Sequence, residues 1–236
     1  MLYSNMINST KTNNLFSGPK NNKVAAIIPT FNEAERIGNV LKVVTKSSII
    51  DEIIVVDDGS QDNTEAVVKK FPRVRYLKNV KNIGKAGSME RGVNSTDAGI
   101  IFFCDADLVD ISEEIIEGII KPVLSGEVNM FIGLRSNFMQ RGIRLFALNS
   151  GERALRRDVW EALPEYFKYK YRVEAGLNYY VKKHFGGFKY KTFNYSQPVK
   201  ESKYGFWKGA ILRWGMNLDV LYVYFRNFFE ELFKSS

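Results

Sequence analysis

The sequence predicts an α/β fold, a mostly parallel sheet with helices on both faces, followed by amphipathic helices at the C-terminal end. Three observations carry that reading. Short runs that are apolar throughout recur between Val24 and Ile132, as expected of strands covered on both faces. Segments with apolar residues at helical spacing lie between them. The two kinds alternate, the pattern of a parallel sheet joined by helical crossovers.

Each element follows in order. Met1 to Asn22 is rich in Asn, Ser, Thr and Lys and reads as a flexible tail. Val24-Ala25-Ala26-Ile27-Ile28 is a first strand, ended by Pro29. Asn32 is placed to cap a helix with Ile37, Val40, Leu41 and Val44 on one side. Ile53 to Val56 is a second strand, stopped by Asp57-Asp58-Gly59-Ser60, after which Asp62 or Asn63 caps a helix through Val67 and Val68. Val74 to Val80 forms a third strand and Gly84 to Val93 a glycine-started helix. Ile100 to Cys104 is a central strand running into Asp105. Ser112 opens a helix burying Ile115, Ile116, Ile119 and Ile120, and Val128 to Ile132 is a further strand. With 236 residues, the chain can bury one such domain, set at 23–200, with 201–236 as an appendage.

Ligands of open α/β sheets bind at the carboxyl ends of the strands. Three of these ends are polar: Pro29-Thr30-Phe31-Asn32-Glu33, Asp57-Asp58-Gly59-Ser60 and Asp105-Ala106-Asp107. They should converge on one crevice. Two carboxylates spaced as in Asp105 and Asp107 suit Mg²⁺ or Mn²⁺, which binds one or two carboxylates plus substrate phosphates. Alone, Asp-x-Asp equally suits a polar cap after a strand. Asp58 suits a base or ribose hydroxyl, or else a turn and helix cap. Lys85 lies in the first turn of a helix whose free amides can face an anion, although Gly-x-x-x-x-Gly-Lys-Ser/Thr is not met and a Walker ATPase is not supported.

Taken together, Ile28-Pro29-Thr30-Phe31-Asn32-Glu33, Val55 to Thr64, Asn82-Ile83-Gly84-Lys85-Ala86-Gly87 and Cys104-Asp105-Ala106-Asp107 resemble, in order and spacing, the inverting glycosyltransferase family 2. The resemblance spans roughly residues 23–200 and implies its GT-A fold, a Rossmann-like sheet, with a nucleoside-diphosphate sugar donor. It places Pro29, Thr30, Glu33 and Asp58 around the nucleoside and Lys85 nearby. Asp105, Ala106 and Asp107 fall at the metal and the diphosphate. Ser150-Gly151-Glu152-Arg153-Ala154-Leu155-Arg156-Arg157 and the basic loop Lys200 to Gly205 are more loosely similar to polyprenyl-phosphate sugar transferases such as dolichyl-phosphate mannosyltransferase. No Gln-x-x-Arg-Trp signature of processive synthases is present, which argues against a polysaccharide polymerase.

The acceptor divides the expectations. A hydroxyl of a saccharide would need a general base, for which Glu174 is the candidate. A lipid phosphate is already anionic and needs positioning, for which Arg135, Arg153 and Lys203 are candidates. Residues 151–236 carry 16 Lys/Arg against 9 Asp/Glu, about seven of the eight net positive charges, which points to an anionic partner. In the same region Phe206, Trp207, Trp214, Leu218, Leu221, Tyr222, Phe225 and Phe229 recur with helical period among Lys208, Arg213 and Arg226. Such a stripe suits a membrane interface, and equally a core or homo-oligomer contact. Nucleic acid is not expected, since no recognition motif appears.

No apolar run approaches the ~18 residues of a membrane span. The single Cys104 fits a buried position in a reducing compartment. The expected location is therefore cytoplasmic, peripheral on the inner face of a membrane. His184, the one histidine, reads as a surface helix residue. A nucleotidyltransferase is disfavoured because Ile-Pro-Thr-Phe-Asn-Glu stands where a Gly-x-Gly-x-Arg loop is expected. A non-catalytic nucleotide-sugar-binding protein is disfavoured by the intact Asp105 and Asp107.

Overall fold

The computed structural model describes residues 21–136, 148, 152–169, 172–198, 214–215 and 218–226. Strands β1 (Val24–Thr30), β2 (Glu52–Asp57), β3 (Val74–Lys78) and β4 (Ile100–Phe103) alternate with helices α1 (Ile37–Val44), α2 (Thr64–Val68) and α3 (Gly84–Asn94). Then come α4 (Glu113–Leu124), β5 (Met130–Arg135), β6 (Arg153–Arg156), α5 (Arg157–Ala162), a 3₁₀ turn Glu165–Phe167, α6 (Arg172–His184) and β7 (Lys189–Phe193). The seven strands form one sheet in the order β3-β2-β1-β4-β6-β5-β7. The pairs β1–β2, β1–β4, β2–β3 and β5–β7 are parallel, and β6 runs antiparallel to both β4 and β5.

Alternate residues of the central strands point to opposite faces. Ala26, Ile28, Val55, Phe102 and Cys104 join α1 and α4 in one core, and Ala25, Ile27, Val56, Ile101 and Phe103 join α3, α5 and α6 in the other. At ~25 cal/mol per Å² of apolar area removed from water, these two layers dominate the stability. Cys104 is buried among them, and burial pushes its thiol well above the ordinary value.

Several expected elements differ. Asn32 does not cap α1, which begins at Ile37. It sits in the left-handed region at φ 54° and ties two loops together, its amide donating to Ser60 Oγ at 2.8 Å and its side chain accepting from Gln61 N at 2.9 Å. Strands β6 and β7 were not expected. β5 runs Met130–Arg135, displaced toward Arg135.

The C-terminal stripe is described at 214–215 and 218–226, where it is helical. Val220 and Val223 enter the core, while Trp214, Leu218, Leu221, Tyr222 and Phe225 are exposed. The Arg172 guanidinium docks this segment, 3.5 Å from Asp219 and 5.0 Å from the Tyr222 ring centre. Among the described residues, no helix is long and apolar enough to cross a membrane. Residues 1–20 and Lys203 lie outside the described residues.

Candidate active site at the strand ends

Order reversal about β1, with β2 on one side and β4 on the other, opens a crevice at the carboxyl ends of these strands. Side-chain hydrogen bonds stitch its rim. Glu33 N donates to Thr64 Oγ1 at 3.0 Å, and Ala34 N to Asp62 Oδ2 at 3.1 Å. Pro29 and Thr30 end β1 beside Val56 and Asp57. Thr30 Oγ1 is buried with no hydrogen-bond partner among the described residues. Glu33 is buried and pairs with Arg36 at 3.3 Å.

Asp58 has a task the sequence did not single out. Its buried carboxylate accepts from Asn79 Nδ2, Ile83 N and Gly84 N, each at 2.8 Å. Three of its roughly four acceptor positions are thus taken, and it fixes the loop that starts α3. Gly84 takes φ 84° there, a conformation open to glycine without strain. That start sets Lys85 one residue into the helix.

Lys85 joins the two halves of the site. Its Nζ lies 2.8 Å from Asp105 Oδ1 and 2.9 Å from Glu174 Oε1. Burial works against its charge, but Asp105 and Glu174 outweigh that and hold the ammonium above its ordinary pKa. Burial likewise opposes ionisation of Asp105, yet Lys85 and then Arg135 hold its carboxyl down to about 2.

Asp105, Ala106 and Asp107 follow β4. Gln197 Nε2 donates both to Asp105 Oδ2, at 3.3 Å, and to Asp107 Oδ1. The two carboxylates therefore present oxygens to one point. An all-oxygen pair of this kind fits a hard divalent cation that takes its other ligands from phosphate and water. Gln197 is held there because Val109 and Ser196 exchange backbone hydrogen bonds at 2.9 and 3.0 Å. Sequence reasoning missed it, since a lone Gln before a proline carries no signal.

Arg135 ends β5 with its side chain nine-tenths buried, 3.9 Å from Glu152 Oε2. Among the described residues its Nε has no hydrogen-bond partner. Burial opposes its charge, while Glu152, Asp105, Tyr195 and Asp107 raise its pKa. Arg153 was expected at the acceptor phosphate. It is fully buried, and its guanidinium donates to Glu174 O and Asn178 Oδ1 at 3.2 Å each and to Leu148 O at 3.4 Å. These bonds anchor α6 under Glu174. Glu174, in the first turn of α6, is buried against Lys85.

Residues 25–194 match the family model for glycosyl transferase family 2. The chain belongs to that family. Over 110 residues it is 32% identical to the glucosyl-3-phosphoglycerate synthase of Mycolicibacterium smegmatis, covering 43% of this chain and 36% of that one. A dolichyl-phosphate beta-glucosyltransferase of Trichomonas vaginalis is 33% identical over 94 residues, 34% of this chain and 28% of that one. The matches span about a third to a half of the length of the first curated relatives. Among solved structures, glucosyl-3-phosphoglycerate synthase of Mycobacterium tuberculosis with Mn²⁺, UDP-glucose and phosphoglyceric acid superposes with TM-score 0.68 at 19% identity, covering 85% of this chain and 79% of that one. The same enzyme with Mg²⁺ and UDP gives 0.64 at 22%, covering 78% and 76%. At these identities the superpositions establish the GT-A fold.

Proposed function

We propose that this chain transfers a sugar, with inversion, from a nucleoside-diphosphate sugar to a phosphate-bearing acceptor, a polyprenyl phosphate foremost. The observation that carries the acceptor class is Arg135, a buried guanidinium beside Asp105 whose Nε has no hydrogen-bond partner among the described residues. A guanidinium so placed matches a phosphate's planar pairs of oxygens. Two relatives support a phosphate-bearing acceptor through their names, one a dolichyl-phosphate beta-glucosyltransferase and the other a glucosyl-3-phosphoglycerate synthase.

Asp105 and Asp107 would hold Mg²⁺ or Mn²⁺, which neutralises charge on the leaving diphosphate when bound. Thr30, Pro29 and Glu33 wall the nucleoside, and Asp58 supports that wall through the loop leading to Lys85. Lys85 has the charge and reach to move from Asp105 onto the diphosphate. Arg135 orients the acceptor phosphate opposite the leaving group. A phosphate nucleophile needs no base, which agrees with a Glu174 carboxylate clasped by Lys85 at 2.9 Å. The exposed face of Leu218, Leu221, Tyr222 and Phe225 would rest on the membrane surface that holds the lipid.

The test is incubation with a panel of labelled nucleotide sugars, Mg²⁺ or Mn²⁺, and two acceptors, farnesyl phosphate and 3-phosphoglycerate. Label in an organic-extractable, acid-labile product supports the lipid phosphate. Label in a water-soluble, phosphatase-sensitive product keeps the phosphate acceptor and overturns the lipid. Transfer confined to neutral saccharides overturns both.

A further inference from the structure

Glu152 has no part in the scheme above, yet it is fully buried beside its charged members. Burying a carboxyl is costly unless partners compensate, and a plain structural position would be filled at less cost by an apolar residue. The sheet explains why Glu152 reaches so many groups. β6 lies between β4 and β5, and Arg153 pairs with Phe103 on one side and Ile132 on the other. The residue before it therefore stands between the strand ends that carry Asp105 and Arg135. Its backbone carbonyl accepts from Gly133 N at 2.9 Å. Its Oε2 lies 3.0 Å from Tyr195 Oη, which donates to Gly133 O at 2.8 Å. Arg135 Nε is 3.9 Å away, an ion pair without a hydrogen bond.

We infer that Glu152 is a positioning residue that keeps Arg135 apart from Asp105 and Asp107, so that the guanidinium is available to the acceptor phosphate. The inference rests on the phosphate-acceptor reading. The physical reason is competition. A guanidinium beside two carboxylates is drawn into a two-pronged pair with one of them. Such a pair would take the oxygens that suit a cation and turn the N–H groups away from the acceptor. A third carboxylate behind Arg135 supplies an opposing pull. No bond is made or broken by Glu152, and it does not touch the reacting atoms.

Glu152→Gln keeps the shape and removes the charge. With the donor found by the panel and farnesyl phosphate as acceptor, its acceptor KM should rise about tenfold or more while kcat and donor KM stay within about twofold. Glu152→Asp, which keeps the charge, should recover most of the loss. In an Arg135→Gln background, Glu152→Gln should add nothing further, because the two residues act as a unit. Thermal unfolding of each variant separates misfolding from mispositioning. Unchanged acceptor KM in Glu152→Gln overturns the inference and leaves the acceptor reading standing. So does a full additional loss in the Arg135→Gln background, or an equal loss of kcat and stability. A wild-type protein that makes no phosphate-linked product with any donor defeats the underlying reading, and this inference with it.

Discussion

Replacing Lys85 with Met isolates the central charge interaction of the site. The ammonium sits between two carboxylates, 2.8 Å from Asp105 and 2.9 Å from Glu174, whose side chains are 14% and 6% exposed. Removing the cation leaves both acids buried without it, a loss of about 3–5 kcal/mol when burial is complete. Lys85 is 26% exposed, so water recovers part and about 2–3 kcal/mol remains. For a domain of this size that lowers Tm by roughly 5–10 °C. The pH dependence follows from the Asp105 carboxyl, held down to about 2 in the wild type. Its depressed pKa contributes stability above the ordinary carboxylate pKa near ~4, lost as pH falls toward ~2. Without Lys85, burial pushes the same carboxyl upward. The Tm gap should therefore be full at neutral pH and close as pH falls below ~4. Mn²⁺ should raise Tm more in Lys85→Met than in the wild type, because the metal no longer competes with the ammonium for Asp105. The assay is circular-dichroism melting of both proteins between pH 3 and 7, with Mn²⁺ or with chelator. Equal Tm values at neutral pH, or an equal response to Mn²⁺, would refute the assignment of Lys85 as the internal counter-ion of this site.

Glu174→Gln should lower kcat by less than about tenfold with a phosphate acceptor, whereas loss of a true general base costs roughly 10²–10⁴; steady-state kinetics decides. Gly176→Ala places a Cβ 2.5 Å from Phe167 Cβ, a contact no side-chain rotation relieves. It should cost about 1–3 kcal/mol, read by denaturant melting, with reduced transfer because α6 carries Glu174. The pair Leu218→Ser and Phe225→Ser alters exposed side chains and should shift stability by no more than ~0.5 kcal/mol per site. It should abolish co-sedimentation with phosphatidylglycerol vesicles, and unchanged vesicle binding would remove the membrane role of that face.

The parts of the fold that were readable in the sequence are those where burial acts on both sides of a strand. Val24–Ile28, Ile53–Val56 and Ile100–Cys104 are apolar without interruption, and their polar ends mark the crevice. β6 was hidden because its outer residues are arginines. Arg153 is fully buried, and a guanidinium is presumed exposed until partners such as Glu174 O and Asn178 are known. β7 reads Lys-Tyr-Lys-Thr-Phe, with four of its five residues exposed, the charged character of an edge strand. The same limit applies to the site. Asp105 and Asp107 could be named from their spacing. The clasp of Lys85 on Glu174, the amide of Gln197 and the place of Glu152 arise from chain crossings that no local pattern encodes.

Charge balance ties these pieces to the need for a cation. Around Lys85 and Arg135 the crevice gathers four carboxyls, Asp105, Asp107, Glu152 and Glu174, besides Glu33 and Asp58 at its far rim. Three cations accompany them: Lys85 and Arg135 by their ion pairs, and Arg153 behind Glu174. Even with one carboxyl protonated, the set is no better than neutral. A diphosphate would meet no net positive field there, and its oxygens would face those of Asp105 and Asp107. The sheet places those two carboxylates at one point, bridged by Gln197. Asp105 and Asp107 would hold a divalent cation there, which would supply the positive charge a diphosphate needs, and Lys85 would then have phosphate oxygens as well as Asp105 as partners. Arg135, with Glu152 as its ion-pair partner, would then be the positive group at the β5 end of the crevice, the place proposed for the acceptor phosphate.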